Sequence, residues 1–389
     1  MAARRHPDIH SAEALLNRER SGVIVAQAAR YPQVSFDSGV GNSFSNSRQG
    51  AGRQNGSIGV TAELLLYDFG KTPAAIGAAK SNETAADVQV DAVTERIAAE
   101  TSAKYLASLR ATALRQASQD YLESLTRLHA IISLREESGV SDRADVLLAD
   151  VILNGARAGL LAAETNERAA RSSISSAIGI DPPVLQPVAR PLSRIDKALN
   201  VHRLESHPEI LSAKQQAVSA RYELAAEKAS IYPRLALQGS YGVDPYDPSS
   251  HGGSLMVTLK GNLYQGGAQG ARVQAASSNE VAALTQVESI RMQNEARFKV
   301  AEQDAAGAAS RKEIVEQQLN DAYASRDLFF EQYTLGKRTL SELLTAEGSI
   351  YQAQVAQIEA EHDGYNAVLQ KAIALGIVFR SLGSSRSET

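Results

Sequence analysis

A chain of 389 residues with 40 basic and 44 acidic side chains interspersed along it carries a formal net charge of −4 and no basic stripe, which argues against nucleic acid as a partner. With no Trp, 7 Phe and 5% aromatics it has little material for a thick globular core, and with no Cys it has neither a disulfide nor a thiolate metal site. No stretch approaches the roughly 20 apolar residues expected of a membrane-spanning helix, and Met1-Ala-Ala-Arg-Arg-His-Pro lacks an apolar signal core.

Taken in chain order, the first clear pattern is period two. Val34, Phe36 and Val40, then Ile58, Val60, Ala62, Leu64 and Leu66, alternate with Ser, Asp, Gly, Thr and Glu around the polar loop Asn42 to Gly56. This predicts a β-hairpin over 33–66 with one apolar and one mostly polar face. Between Ala78 and Ser138 there is neither Gly nor Pro, and strong helix formers dominate. At about 1.5 Å per residue this stretch alone makes about 90 Å of helix, within one helix expected over about 72–137. Tyr121, Leu125, Leu128 and Ile132 form a coiled-coil seam along it. The helix stops at Ser138-Gly139, and a return helix over about 142–179 completes an αα-hairpin with a single tip.

The chain is then written again. Ser57 to Ile180 lies on Ser254 to Ile377 without a gap, each residue paired with the one 197 positions later. Upstream, Tyr31-Pro32 matches Tyr232-Pro233 at a slightly longer offset. A period of this size is a duplicated domain-sized unit, well beyond the roughly 20 to 50 residues of solenoid repeats. The first repeat spans 1–180, a Pro-rich linker 181–202, the second repeat 203–377 and a C-terminal tail 378–389. Within the second repeat a β-hairpin is expected over 234–263 around a loop from Val243 to Gly253, a long helix over about 268–334 and a return helix over about 339–376. Leu344, Tyr351, Val355, Ile358, His362, Tyr365 and Leu369 continue its apolar seam. All 11 Pro fall at or before Pro73 or between Pro182 and Pro248, so the helix breakers sit at the joints.

Strands of roughly 9 to 11 residues have the length that crosses a bilayer obliquely. Nothing adjacent in the sequence covers their apolar face. Four strands cannot close a barrel, and an open edge in hydrocarbon leaves backbone groups unpaired, so a membrane reading requires several chains to share one barrel. The fold class is thus mixed and mainly α: duplicated coiled-coil hairpins plus two β-hairpins, which give a four-strand contribution to a shared transmembrane barrel or, in the alternative, pack on a soluble core.

Local motifs sharpen this. Tyr31-Pro32-Gln33 and Tyr232-Pro233-Arg234 precede the strands; Leu66-Tyr67-Asp68-Phe69-Gly70 and Leu263-Tyr264-Gln265-Gly266-Gly267 follow them. Tyr333-Thr334-Leu335-Gly336-Lys337-Arg338-Thr339, with Glu342-Leu343-Leu344-Thr345-Ala346 and Ala374-Leu375-Gly376-Ile377, is the most specific. Together these make the chain resemble the TolC family of outer-membrane efflux and secretion channels.

The resemblance implies a homotrimer in the outer membrane of a Gram-negative bacterium, with a 12-stranded barrel surrounded by lipid and a helical tunnel, an α-barrel, in the periplasm. It implies passive conduction of substrate delivered by an inner-membrane pump of ABC or RND type through a periplasmic adaptor. It also assigns residues. Asp145, Tyr333 and Arg338 match the gate at the helical tips, Glu342 matches one position of an acidic ring at the entrance, and Gly139, Val140, Gly336 and Lys337 match the adaptor-contact tips. The second ring position falls on Thr345, which weakens such a ring. From the residues alone, Asp145 also suits the positive end of a helix, and Thr339-Leu-Ser-Glu342 also reads as a capping box.

No phosphate loop, nucleophile elbow, dinucleotide fingerprint or zinc-protease motif is present, so no enzyme and no cofactor are expected. Two other readings compete with the channel: a soluble lyase-like enzyme built on an Ala-rich helical bundle, and a periplasmic coiled-coil adaptor or scaffold. The lyases' catalytic loop is missing, and an adaptor would usually carry one hairpin rather than two equal halves.

Overall fold

The computed structural model describes residues 6–43, 53–179 and 201–383. The elements repeat almost residue for residue. Helix α1 (Pro7–Ala28) leads into strands β1 (Gln33–Ser43) and β2 (Arg53–Tyr67), then helices α2 (Lys71–Glu137) and α3 (Arg143–Ile178). After a 3₁₀ turn at Val201–Ser206 come α4 (Pro208–Ala229), β3 (Arg234–Asp244), β4 (Asp247–Lys260), α5 (Ala268–Thr334), α6 (Leu340–Leu375) and a short α7 (Val378–Gly383). Both long helices have 67 residues and both return helices 36.

Two compact units result. One comprises residues 11–91 and 208–290, the other residues 1–10, 92–207 and 291–389. The first holds the sheet, a single antiparallel array in the order β1-β2-β3-β4. Its register places Phe36 opposite Val60 and Val60 opposite Tyr241, and sets Leu237 opposite Val257. Because successive side chains alternate sides, the apolar set therefore falls on one face across all four strands. On the other face Ser35 meets Thr61, Thr61 meets Ser240, and Ser240 meets Ser254, the last pair with hydroxyls 2.9 Å apart.

In the same unit α4 packs closely on the first turns of α2. Ser212 and Ser219 donate hydroxyl hydrogen bonds to the carbonyls of Ala85 and Ala78. A Cβ placed on Gly77 would come within 2.8 Å of the Tyr222 ring. Small residues at this contact let the two helices approach without a bulky core. At the start of α2 the Asp68 carboxylate accepts the Thr72 N–H at 2.7 Å, satisfying one of the free donors of the helix end.

The second unit has a conventional apolar core where α2 turns into α3 and α5 into α6. Leu125, Leu128 and Ile132 of α2 meet Val146, Ala149 and Leu153 of α3, Tyr333 of α5, and Leu340, Leu343 and Leu344 at the start of α6. Further along, Tyr121 and Tyr351 stack with centroids 4.7 Å apart, and Ser118 shares a hydrogen bond with the Tyr351 hydroxyl. His362 is buried on the α6 seam, edge-on to Tyr365. Burial holds its imidazole below the usual histidine range.

Several expectations are corrected. The loop foreseen from Val243 to Gly253 is mostly strand, since the β3–β4 ladder continues to Asp244 opposite Asp247 and leaves only Pro245-Tyr246 as the turn. Ser, Gly and His on β4 pair through their backbones, which composition does not reveal. Strand β4 ends at Lys260, so Leu263 lies outside the sheet, fully exposed. The tail expected from Val378 begins with α7, whose Phe379 N–H donates to the buried Glu95 carboxylate at 2.9 Å. Burial raises that carboxyl, against the lowering pull of the Phe379 and Arg380 backbone N–H groups. Helix α3 does contain a stretch long and apolar enough to cross a membrane by length and composition, although the sequence scan found none. Asp150 and Arg157 interrupt the run and masked it. One side of that stretch, Val146, Ala149, Leu153 and Ala156, is buried in the core, and Asp150 meets His129 at 2.8 Å. Residues 181–200 of the expected linker and most of the loop after Asn42 lie outside the described residues.

Candidate functional site: the helical tips and the two-faced sheet

The two tips are built alike. At each, the helix closes on a left-handed glycine, Gly139 and Gly336, both with φ 71°, where a side chain would be strained. The next residues close a Schellman-type end: the Val140 N–H donates to the Arg135 carbonyl, and the Lys337 N–H to the Gln332 carbonyl. Gly139, Val140, Gly336 and Lys337 all stand exposed at the ends of the hairpins. The return helices then start from side-chain caps, Asp142 for α3 and Thr339 for α6.

Asp145 and Glu342 occupy equivalent places in the two repeats, and so do Ser141 and Arg338. In the first tip the Ser141 hydroxyl donates to the Asp145 carboxylate at 2.7 Å. In the second, the Arg338 guanidinium donates to the Glu342 carboxylate, and to the Gln332 amide oxygen at 3.0 Å. One contact is neutral to charged, the other an ion pair. Glu342 also completes the capping box expected from the sequence, accepting from the Thr339 backbone and hydroxyl. Those two donors, followed by Arg338, hold its carboxyl below the usual carboxylate range.

Tyr333 sits elsewhere, within the apolar core of the tip. It is 5% exposed, and among the described residues its hydroxyl has no hydrogen-bond partner. The Arg135 guanidinium lies 4.9 Å over its ring, and that of Arg338 lies 4.2 Å over Phe329. Asp145 and Arg338 are thus each engaged within their own tip. Sequence reasoning passed over Arg135, Ser141, Gln332 and Phe329. Laying one tip on the other would have found the Ser141 and Arg338 equivalence.

The sheet is the second functional surface. On its apolar face Val34, Phe36, Val60, Tyr241, Leu255, Val257 and Leu259 are all exposed. On the polar face, at the end nearest α2, Glu63 of β2 receives Arg234 of β3 at 3.3 Å and Lys260 of β4 at 3.1 Å. Among the described residues β1 and β4 pair on one side only. A sheet greasy on one face, polar on the other and free at both edges, on a chain of paired long helices, defines a segment of a membrane β-barrel carried by a helical scaffold.

A family model described as outer membrane efflux protein matches residues 1–180 and 201–376. The chain belongs to that family, and its place is the outer membrane. It is 24% identical to the outer membrane efflux protein BepC of Brucella suis, over 93% of this chain and 80% of BepC. It is 25% identical to the protein CyaE of Bordetella pertussis, over 97% of this chain and 82% of CyaE. Among solved structures, VceC of Vibrio cholerae superposes with a TM-score of 0.85 at 18% identity, covering 96% of this chain and 94% of VceC. CusC does so with 0.88 at 17%, covering 96% and 90%. Members of the family work in transport rather than catalysis, and the lyase and scaffold readings are not favoured.

Proposed function

We propose that three copies of this chain close their sheets into one 12-stranded barrel, so that the trimer forms the exit duct of a tripartite efflux or type I secretion system. The single observation carrying this is the sheet, whose apolar face is largely exposed while both edges lack a partner strand among the described residues. Lipid covers such a face, and neighbouring copies supply the missing strands. Helix α3 also leaves Leu147, Val151 and Leu161 exposed, and in the trimer a neighbouring chain covers them. An inner-membrane pump of ABC or RND type delivers substrate, and a periplasmic adaptor meets the tips at Gly139, Val140, Gly336 and Lys337. Conduction is passive, with no cofactor.

The tips serve as the gate. Asp145 and Arg338 lie on the surface of the tip, where exchanging their Ser141 and Glu342 contacts for bonds to an adjacent chain tethers helices that must move apart. Tyr333 supports them from the core beneath. Glu342 contributes acidity at the entrance, damped by Arg338 while the two remain paired.

Light scattering of the detergent-solubilised protein, corrected for detergent, is expected to give the mass of three chains; a single chain rules out the shared barrel. In planar bilayers Asp145→Ala and Arg338→Ser are each expected to raise single-channel conductance over the parent. If neither does so, the latch is wrong.

A further inference from the structure

A cavity of about 870 Å³ opens on the polar face of the sheet where the strands meet α2 and α4. Its charged lining residues are Glu63, Asp68, Lys71, Arg234 and Lys260. Three cations thus face two carboxylates. Asp68 is already committed to the start of α2, where it accepts the Thr72 N–H. Glu63 is shared by two cationic heads, Arg234 and Lys260, and one carboxylate neutralises only one of them. The Arg234 and Lys260 side chains keep 54% and 45% of their surface exposed, so their charge reaches into the cavity.

The duplication explains the imbalance. Glu63 and Lys260 are repeat equivalents, 197 residues apart, and Gln33 and Arg234 stand in the corresponding place on the first strand of each hairpin. The register sets Gln33 opposite Glu63 and Arg234 opposite Lys260. One repeat therefore contributes an amide and an acid to this cluster, the other two bases, whose long side chains reach Glu63 although the register sets Gln238 opposite it. The next acid along this face is Asp37, four residues up β1, which is about 13 Å away at about 3.3 Å per residue. That exceeds the Debye length of about 10 Å at 0.1 M salt, so Asp37 does not cancel the excess.

We infer that Glu63, Arg234 and Lys260 form a net-positive collar at the base of the barrel that selects anionic solutes, those carrying carboxylate, phosphate or sulfate groups. The inference rests on the polar face being the inner wall of the proposed duct. Three copies triple the local excess charge, and fixed charge lining a narrow aqueous path sets which ion sign passes more easily. Glu63 keeps the two long heads against the wall, where they attract anions without obstructing the bore. Glu342 at the tips is common to the parent and to every collar variant, so it does not contribute to the differences between them.

The test is the chloride to potassium permeability ratio of the full-length protein in planar bilayers, taken from reversal potentials under a KCl gradient near 0.1 M. Relative to the parent, Arg234→Gln with Lys260→Gln is expected to lower the ratio about twofold or more, and Glu63→Gln to raise it. Arg234→Lys, which keeps the charge, is expected to leave it unchanged. All shifts should shrink near 1 M salt. Should the double variant fail to assemble, Glu63→Gln decides alone. A conducting parent whose ratio is unmoved by Glu63→Gln overturns the collar and leaves the duct intact. A parent with no conductance overturns both.

Discussion

Asp145 and Glu342 show how one position acquires two electrostatic characters through its neighbours three and four residues earlier. Ser141 gives Asp145 one hydroxyl donor, whereas Glu342 takes a guanidinium and both donors of Thr339. The sign of the pH effect follows. A carboxyl held below its ordinary value in the folded chain adds stability that is present above that value and is lost as pH falls through the lowered one. The protection of the Leu343 amide in the first turn of α6, its exchange relative to an unfolded chain at the same pH, is therefore expected to fall as pH drops below the ordinary glutamate range, and Glu342→Gln should flatten that dependence. An unchanged profile in the variant removes Glu342 as the titrating group. Thr339→Ala, which deletes the capping hydroxyl, is expected to destabilise the start of α6 by about 1 kcal/mol, measured by the same exchange at neutral pH.

At the scale of whole elements, the energetic weight of each tip rests on the seam between the long helix and its return. Ile132 and Leu343 are fully buried there, surrounded by residues of four helices. Ile132→Ala is expected to cost about 2–5 kcal/mol through lost burial and the cavity left behind. Chemical denaturation followed by a tip-placed fluorophore checks this, and a loss below about 1 kcal/mol would mean that the site collapses or is not packed. Ile132 was legible beforehand, because a spacing of four and three residues places it on one line with Leu125 and Leu128. The strands were legible for the same reason at period two. Helices α1 and α4 were not read: the buried line of α1, Ile9, Ala12, Leu16 and Val23, is blurred by the exposed apolar residues Leu15, Ile24 and Val25, and α4 buries mostly small side chains, Ser212, Ala213, Ala217, Ser219 and Ala220. The far half of the β3–β4 ladder was hidden because Gly252, Gly253 and Ser254 are held by backbone pairing. The collar at Glu63 was hidden for another reason: its members lie on three strands, and only the folded sheet lets the long Arg234 and Lys260 side chains reach Glu63, whose own register partner is Gln238. The tip residues were visible as a motif, but which partner each takes depends on side-chain reach within the folded tip.

For the whole molecule, the decisive question is which side of the sheet meets lipid. Val257 and Thr258 are neighbours on β4 that point to opposite faces: Val257 lies opposite Leu237 and is exposed, whereas the Thr258 hydroxyl donates to the Ala236 carbonyl. If the apolar face lies against hydrocarbon, Val257→Arg puts a guanidinium into the bilayer, at a cost of about 2–4 kcal/mol near the midplane and less toward either interface. Thr258→Arg puts the same group on the wetted side. Folding into lipid vesicles, followed by the shifted electrophoretic migration of unheated barrel, is therefore expected to fail or slow in Val257→Arg and to proceed in Thr258→Arg. The pair shares strand, depth and added charge, so propensity and net charge cannot produce a difference between them. Equal folding of both variants would mean that the apolar face is covered by protein. Failure of Thr258→Arg alone would place lipid on the polar side and invert the barrel wall, and the collar at Glu63 with it.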